Sequence, residues 1–370
     1  MADTMNHIER DVAALSNKPA DRLPTYPLAM GVCRRLLNDG AGITYHDWVT
    51  DPKRFASAFI AGQRYFDFDF AIGLMDLSVM AGDLGSHVRM DEQNTPFVDD
   101  PVIKTVEDYE KIEVPNIKDP KSRSYILVEG TGMFVKELAS EVITAAFLEG
   151  PLLALTQSRG AEFVFKDMYD NESSRAAVHK ALETITDYDK EMVKAFAEKK
   201  PAGLVWDYLW GSYSCLGDTE YDEFEGQHKY AGCLNELVVK EGMANCVHNC
   251  ADLPHLDTQV TKFKSTIFSG AYYPLIPGSM PAKEVIGKGY ADNCLMAGNI
   301  DPQGYVRWTP EKMQKTTMNL CNEVVKALKD RGLGARYCIA SGCEVPPALS
   351  TKMENIKTCV DTVKQYGTFA

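Results

Sequence analysis

An α/β fold, specifically a (β/α)8 TIM-like barrel with an N-terminal extension and an insertion after the second strand, is what the amino-acid sequence predicts. Three observations predict it. Short apolar runs alternate with longer stretches of helical period, the pattern of βα units around a parallel sheet. About eight such runs occur, and eight parallel strands close a barrel. Residues able to do chemistry gather where the runs end, as expected when the loops after separate strands converge on one face.

In chain order the runs are Pro24 to Met30, Asp69 to Leu74, Val142 to Leu148, Gly203 to Asp207, Met243 to His248, Lys264 to Ser269, Asn293 to Ala297 and Arg336 to Ala340. Between them, Val178, Leu182, Ile185, Met192, Val193 and Phe196 recur at a spacing near that of a helix after a Ser173-Ser174 start signal. Another helix opens at Thr309-Pro310, a capping hydroxyl followed by proline in the first turn. It runs through Met313, Leu320, Val324 and Leu328 to glycines at 332 and 334. Residues 85–140 fit neither pattern and are expected to form an insertion at the barrel mouth, including a small hairpin. With no linker, repeat or low-complexity tract, the simplest organisation is one domain over 1–370.

The chain of 370 residues, 45% hydrophobic and 25% charged, has the composition of a globular protein with a sizeable core. Its net charge of -13 argues against a nucleic-acid surface, which needs a basic patch. No stretch approaches the roughly 20 apolar residues of a membrane span. The first residues carry no apolar signal segment, so a cytoplasmic location is expected. Ten cysteines then read as reduced thiols, a few of them metal ligands. Cys33, Cys215, Cys233, Cys294, Cys321, Cys338 and Cys359 are expected to be packing residues.

His248 and Cys250 close the fifth run, and Cys343 follows the last one, in Ser341-Gly342-Cys343-Glu344-Val345-Pro346-Pro347. Ends of different strands meet at a barrel mouth, so these residues form a candidate zinc site. Three protein ligands leave an open fourth position, the arrangement of a catalytic zinc. Cys246, two residues before His248, shares its face but lies one level deeper, and is expected to pack. Bound thiolates make such a zinc electron-rich, suited to hold an ether oxygen or a thiolate during methyl transfer. Asp76, Glu149 and Asp207, also at run ends, are candidate catalytic acids, a fourth zinc ligand, or partners that orient His248. Trp206, Tyr208, Trp210, Tyr213, Tyr272 and Tyr273 are candidate walls of a flat apolar pocket, or rings that seal the barrel top. Asn299 and Asp301 suit a tight turn.

Met296-Ala297-Gly298-Asn299-Ile300-Asp301-Pro302, the Cys343 segment through Met353-Glu354-Asn355-Ile356-Lys357, and Leu74-Met75-Asp76-Leu77 resemble the uroporphyrinogen decarboxylase superfamily. The motif order runs from about residue 20 to the C-terminus. The resemblance implies a distorted (β/α)8 barrel. It departs from the true decarboxylases, which carry Arg-Gln-Ala-Gly-Arg where this chain has Met30-Gly31-Val32-Cys33-Arg34-Arg35, and Gly-His-Gly where it has Gly342-Cys343-Glu344. Of their catalytic set Asp76 matches.

His248, Cys250 and Cys343 instead look like the zinc ligands of the corrinoid-dependent methyltransferase branch. By that resemblance the chain is expected to be a zinc enzyme moving a methyl group from a methoxylated, aromatic substrate to the Co(I) corrinoid (cobalamin) of a separate protein. An Asp-x-His-x-x-Gly cobalamin motif does not occur in the sequence, so the corrinoid is expected on a partner. A homodimer is compatible with this. One alternative is methyl transfer from a corrinoid protein to coenzyme M, with Arg34 or Arg35 holding the sulfonate. Porphyrinogen decarboxylation, or a non-catalytic barrel stabilised by zinc, are the others.

Overall fold

The structure, a computed structural model, describes residues 3–226, 229–272 and 274–369, so Tyr273 lies outside the described residues. Among the described residues nine strands occur: β1 (Phe70–Gly73), β2 (His87–Arg89), β3 (Phe97–Asp100), β4 (Ile143–Glu149), β5 (Gly203–Asp207), β6 (Ala244–Asn249), β7 (Ile267–Gly270), β8 (Leu295–Ile300) and β9 (Tyr337–Ser341). Seven form one parallel sheet in the order β1-β4-β5-β6-β7-β8-β9, and β2 pairs antiparallel with β3. Helices follow the strands and cover the outside, the α/β TIM-like architecture expected.

The first predicted strand differs from expectation. Residues 24–30 lie between β9 and β1 but make a single parallel bridge, Thr25 to Ile339. The reason is in the chain: Pro24 and Pro27 have no N–H, so no continuous ladder can run through them. The seam is held by other means. Tyr26 N–H donates to Ile339 O at 3.0 Å, Asp69 N–H to Thr25 O at 3.0 Å, and Leu28 N–H to the Ser341 hydroxyl at 2.9 Å.

The predicted insertion divides in two. Its first part contains the β2/β3 hairpin. Its second contains the helix Arg123–Leu138, which connects β1 to β4 as an ordinary barrel helix and packs on the helix Pro52–Phe66. Gly130 permits that close approach, since a Cβ there would meet Phe55 Cδ1 at 2.5 Å and Pro52 O at 3.0 Å. The helix expected from Val178 to Phe196 spans Glu172–Lys199, capped by Asn171, whose side chain accepts from Ser173 and Ser174 N–H. The Thr309-Pro310 start is observed: the helix Pro310–Asp330 is capped by Thr309, whose hydroxyl accepts from Lys312 N–H.

Strand side chains alternate between two buried layers. Ala145, Phe147, Val205 and Cys246 point into the barrel, and Leu148, Leu204, Trp206 and Val247 point toward the helices. Small interior residues, among them Ala145, Gly203, Ala297 and Ala340, leave an apolar cavity of about 110 Å3 below the mouth. Among the described residues no helix is long and apolar enough to cross a membrane.

Candidate metal centre at the barrel mouth

β6 delivers His248 at its last inward position, and the chain turns immediately after it. Asn249 fixes that turn: its amide donates to Tyr208 O at 2.8 Å and Gly211 O at 3.0 Å, and its carbonyl oxygen accepts from Ala251 N–H at 2.9 Å. The staple positions Cys250. Across the mouth, the loop after β9 is pinned by Gly342 N–H to Ile300 O and Val345 N–H to Leu28 O, both 2.9 Å, with Cys343 between them.

The ligand atoms of His248, Cys250 and Cys343 lie within 4.8 Å of one another, and among the described residues no other set of three or more His, Cys, Asp or Glu does so. His248 is 4% exposed and each cysteine is half-buried. His248 Nδ1 is 3.1 Å from the Ser269 hydroxyl on β7, the residue opposite it in register. That contact orients the ring, as partners of ligating histidines do. One imidazole and two thiols in this space match the donor set of a catalytic zinc.

Hydrogen bonding from Cys250 holds the Cys343 thiol down to about 4 despite burial, and His248 adds to the effect. The same contact pushes Cys250 well up. Burial alone would lower His248, but its bond to Cys343 and the charge of Asp207 raise it. Cys246 sits below in the interior cavity and burial pushes it up to about 12, the behaviour of a packing thiol.

A cleft of about 290 Å3 opens beside these three side chains. Asp76 and Asp207 line it and Glu149 does not. Asp76 is fully engaged: Arg123 forms a two-pronged ion pair with it, and Ser78 donates to Oδ1 through its N–H at 2.9 Å and its hydroxyl at 2.6 Å. Asp207 stands opposite His248 in register, and burial pushes it up to about 7. Glu149 is 3% exposed, and burial raises its carboxyl well above the ordinary range, with Asp76 and Asp207 adding to the shift.

The aromatic residues singled out in the sequence stand elsewhere. Because Val205 and Asp207 point inward, strand alternation sends Trp206 outward, and Tyr208 stacks on it at 5.8 Å in the layer under the helices. Trp210 packs edge-on against Phe165 and donates to Thr156 Oγ1 at 2.8 Å. Tyr213 is half exposed and lies against His255. Tyr272 is buried beside Gly298. None of the five lines the cleft; Phe97, from the hairpin, and Phe147, 6.2 Å from the His248 ring, do. Ser269, Phe97, Phe147 and Arg123 carried no sequence motif. Strand register could have pointed to Ser269, but the others meet the site through tertiary packing. Asp301 makes the expected turn, accepting from Gln303 N–H at 2.8 Å, whereas Asn299 belongs to β8.

A parallel α/β barrel with a His-Cys-Cys cluster at the C-terminal ends of its strands defines the class: a barrel with a thiol-rich candidate metal site in the position where such folds carry their chemistry. The model of the family described as Uroporphyrinogen decarboxylase (URO-D) matches residues 6–366, and the chain belongs to that family. Among solved structures it is similar to a methyltransferase from Methanosarcina mazei, with a TM-score of 0.78 and 16% identity, covering 98% of this chain and 99% of that one. B12-independent methionine synthases from Shewanella sp. W3-18-1 and, as a putative one, Listeria monocytogenes give TM-scores of 0.48 and 0.46 at 14% and 12% identity, each covering 94% of this chain and 97% of theirs. Comparison with curated proteins finds no match.

Proposed function

We propose that this chain is a zinc-dependent methyltransferase that moves a methyl group from a methoxylated substrate to the Co(I) corrinoid of a separate protein. The observation that carries the reading is the His248, Cys250 and Cys343 cluster, its ligand atoms within 4.8 Å of one another beside a cleft of about 290 Å3. Zinc held there would act as a Lewis acid on the heteroatom that bears the methyl group. The chain's own residues do the rest. Ser269 fixes the His248 ring, and Asn249 fixes the turn that carries Cys250. Phe147 and Phe97 offer apolar faces against which an aryl group could lie, so the aromatic preference rests on these two rings and not on Trp206. Likeness in fold to a protein named a methyltransferase supports the reaction class.

Transfer to a thiol carrying a sulfonate has less support. Arg34 is fully buried and donates to Gly31 O at 2.9 Å and Pro347 O at 2.7 Å, and Arg35 donates to Thr351 O at 2.7 Å. Neither lines the cleft. The test is a panel of methoxylated compounds incubated with the zinc-loaded protein and a Co(I) corrinoid protein. Growth of the methyl-Co(III) spectrum is expected with at least one compound. Its absence with all of them, together with rapid demethylation of methylcobalamin by coenzyme M, would replace this reading with the thiol one.

A further inference from the structure

We propose that the cleft beside the metal centre takes an uncharged or cationic methyl donor and rejects an anionic one, with Asp207 setting the preference. The inference rests on the methyl-transfer reading above. Asp76, Asp207 and Glu344 line the cleft, and among the described residues no Lys or Arg does. The nearest cations are committed. Arg123 is paired with Asp76 and donates to Ser78 Oγ at 2.9 Å. Arg34 and Arg35 are spent on backbone carbonyls. Arg89 pairs with Asp91 at 3.1 Å while its guanidinium lies 6.0 Å from the centroid of the Phe97 ring.

The acids differ in what they still need. Asp76 is satisfied, and Glu344 Oε1 accepts from Gly31 N–H at 3.0 Å. Asp207 is 4% exposed and its Oδ1 has no partner, although the residue forms part of the cleft wall. An unpartnered buried acceptor is costly, and a ligand hydroxyl or ammonium group would supply the missing donor. A carboxylate or sulfonate would bring negative charge to a place with nothing to pair it, which disfavours its binding. Bound metal does not reverse this, because two thiolates balance a divalent ion. In either protonation state Asp207 offers no positive charge.

The test uses the zinc-loaded protein and three methoxybenzenes that differ at one ring position, bearing a hydroxymethyl, an aminomethyl or a carboxylate group. Binding is read by titration calorimetry and methyl transfer separately by cobalt spectroscopy. The carboxylate member should bind more weakly than both others by about tenfold or more. Asp207→Asn should weaken the aminomethyl member more than the hydroxymethyl one. Gln157→Arg, on the cleft wall, should improve carboxylate binding, which keeps the test open if the Asp207 variant fails to fold. Equal or tighter binding of the carboxylate by the natural protein would overturn the preference, and transfer from that compound would leave the methyltransferase reading standing. Binding in the expected order without transfer from any member would do the reverse. No binding by any of the three would overturn both.

Discussion

At the N-terminal end of the sheet, Asp69 accepts from Arg10 at 2.9 Å, from Arg22 at 2.7 Å and from Thr25 N–H at 2.7 Å, and His7 lies 2.8 Å away. At the C-terminal end, the Asp207 oxygen is unpartnered and three metal-type donors face one another across the mouth. Both ends are buried, so the contrast is in pairing. At the first end, Asp69 and its cations satisfy each other, with the buried Asp11 carboxyl beside them left without a partner, and lock the extended segment 24–30, which has too few N–H groups to bond as a strand, against β1. Groups at the second end are held by the scaffold but left with bonding capacity, which is what a ligand requires. Charge below closes the barrel; on the proposed reading, charge above is left for an ion and a substrate.

The comparison breaks most directly at the mouth. Cys343→Ala and His248→Ala should each lose most of the bound zinc and the methyl-transfer activity while keeping the helical signal, checked by metal analysis alongside circular dichroism. Full occupancy in either variant would remove the metal centre from the proposal. At the opposite end, Arg22→Met removes one partner of a buried pair and should cost about 3–5 kcal/mol in urea unfolding. Its zinc content should be unchanged, and a variant that unfolds normally but loses zinc would erase the distinction between the two ends.

Two smaller effects sharpen the contrast. Ser269→Ala leaves all three ligands and removes only the hydroxyl beside His248 Nδ1, so zinc affinity should fall by about 10–100-fold with stability little changed. His7 supplies the pH test. Burial alone would lower it, but hydrogen bonds to Asp67 and Asp69 raise it to about 9 from 6.5. Protons are therefore bound more tightly in the folded state. The stabilisation is complete below pH 6.5 and is lost as pH rises through about 9. The shift from 6.5 to about 9 corresponds to about 3 kcal/mol, which solvent screening of the partly exposed ring reduces to about 2 kcal/mol, and His7→Gln should remove that pH dependence from unfolding curves.

Much of the sheet was legible because buried parallel strands are continuous apolar runs, and seven of the eight runs overlap strands of the sheet. The eighth, 24–30, is apolar enough to be a strand but its prolines deny it a ladder. The helix Arg123–Leu138 is hidden in the sequence because Ile126, Leu127, Val128, Thr131, Phe134 and Val135 are all buried, which leaves no single stripe for helical period to reveal. The convergence of His248, Cys250 and Cys343 was legible from two strand ends. The pocket walls were not, because strand parity overrides residue chemistry there: once Asp207 faces in, Trp206 must face out. Phe97 reaches the cleft from the hairpin, and nothing in its local sequence announces that destination.

The most direct measurement is a zinc K-edge X-ray absorption spectrum of the purified protein. One imidazole nitrogen at about 2.0–2.1 Å and two sulfurs at about 2.3 Å are expected, with a further light atom filling the fourth position. Neighbours of nitrogen and oxygen alone would mean that Cys250 and Cys343 do not hold the ion, and would contradict the metal centre on which the proposed chemistry depends.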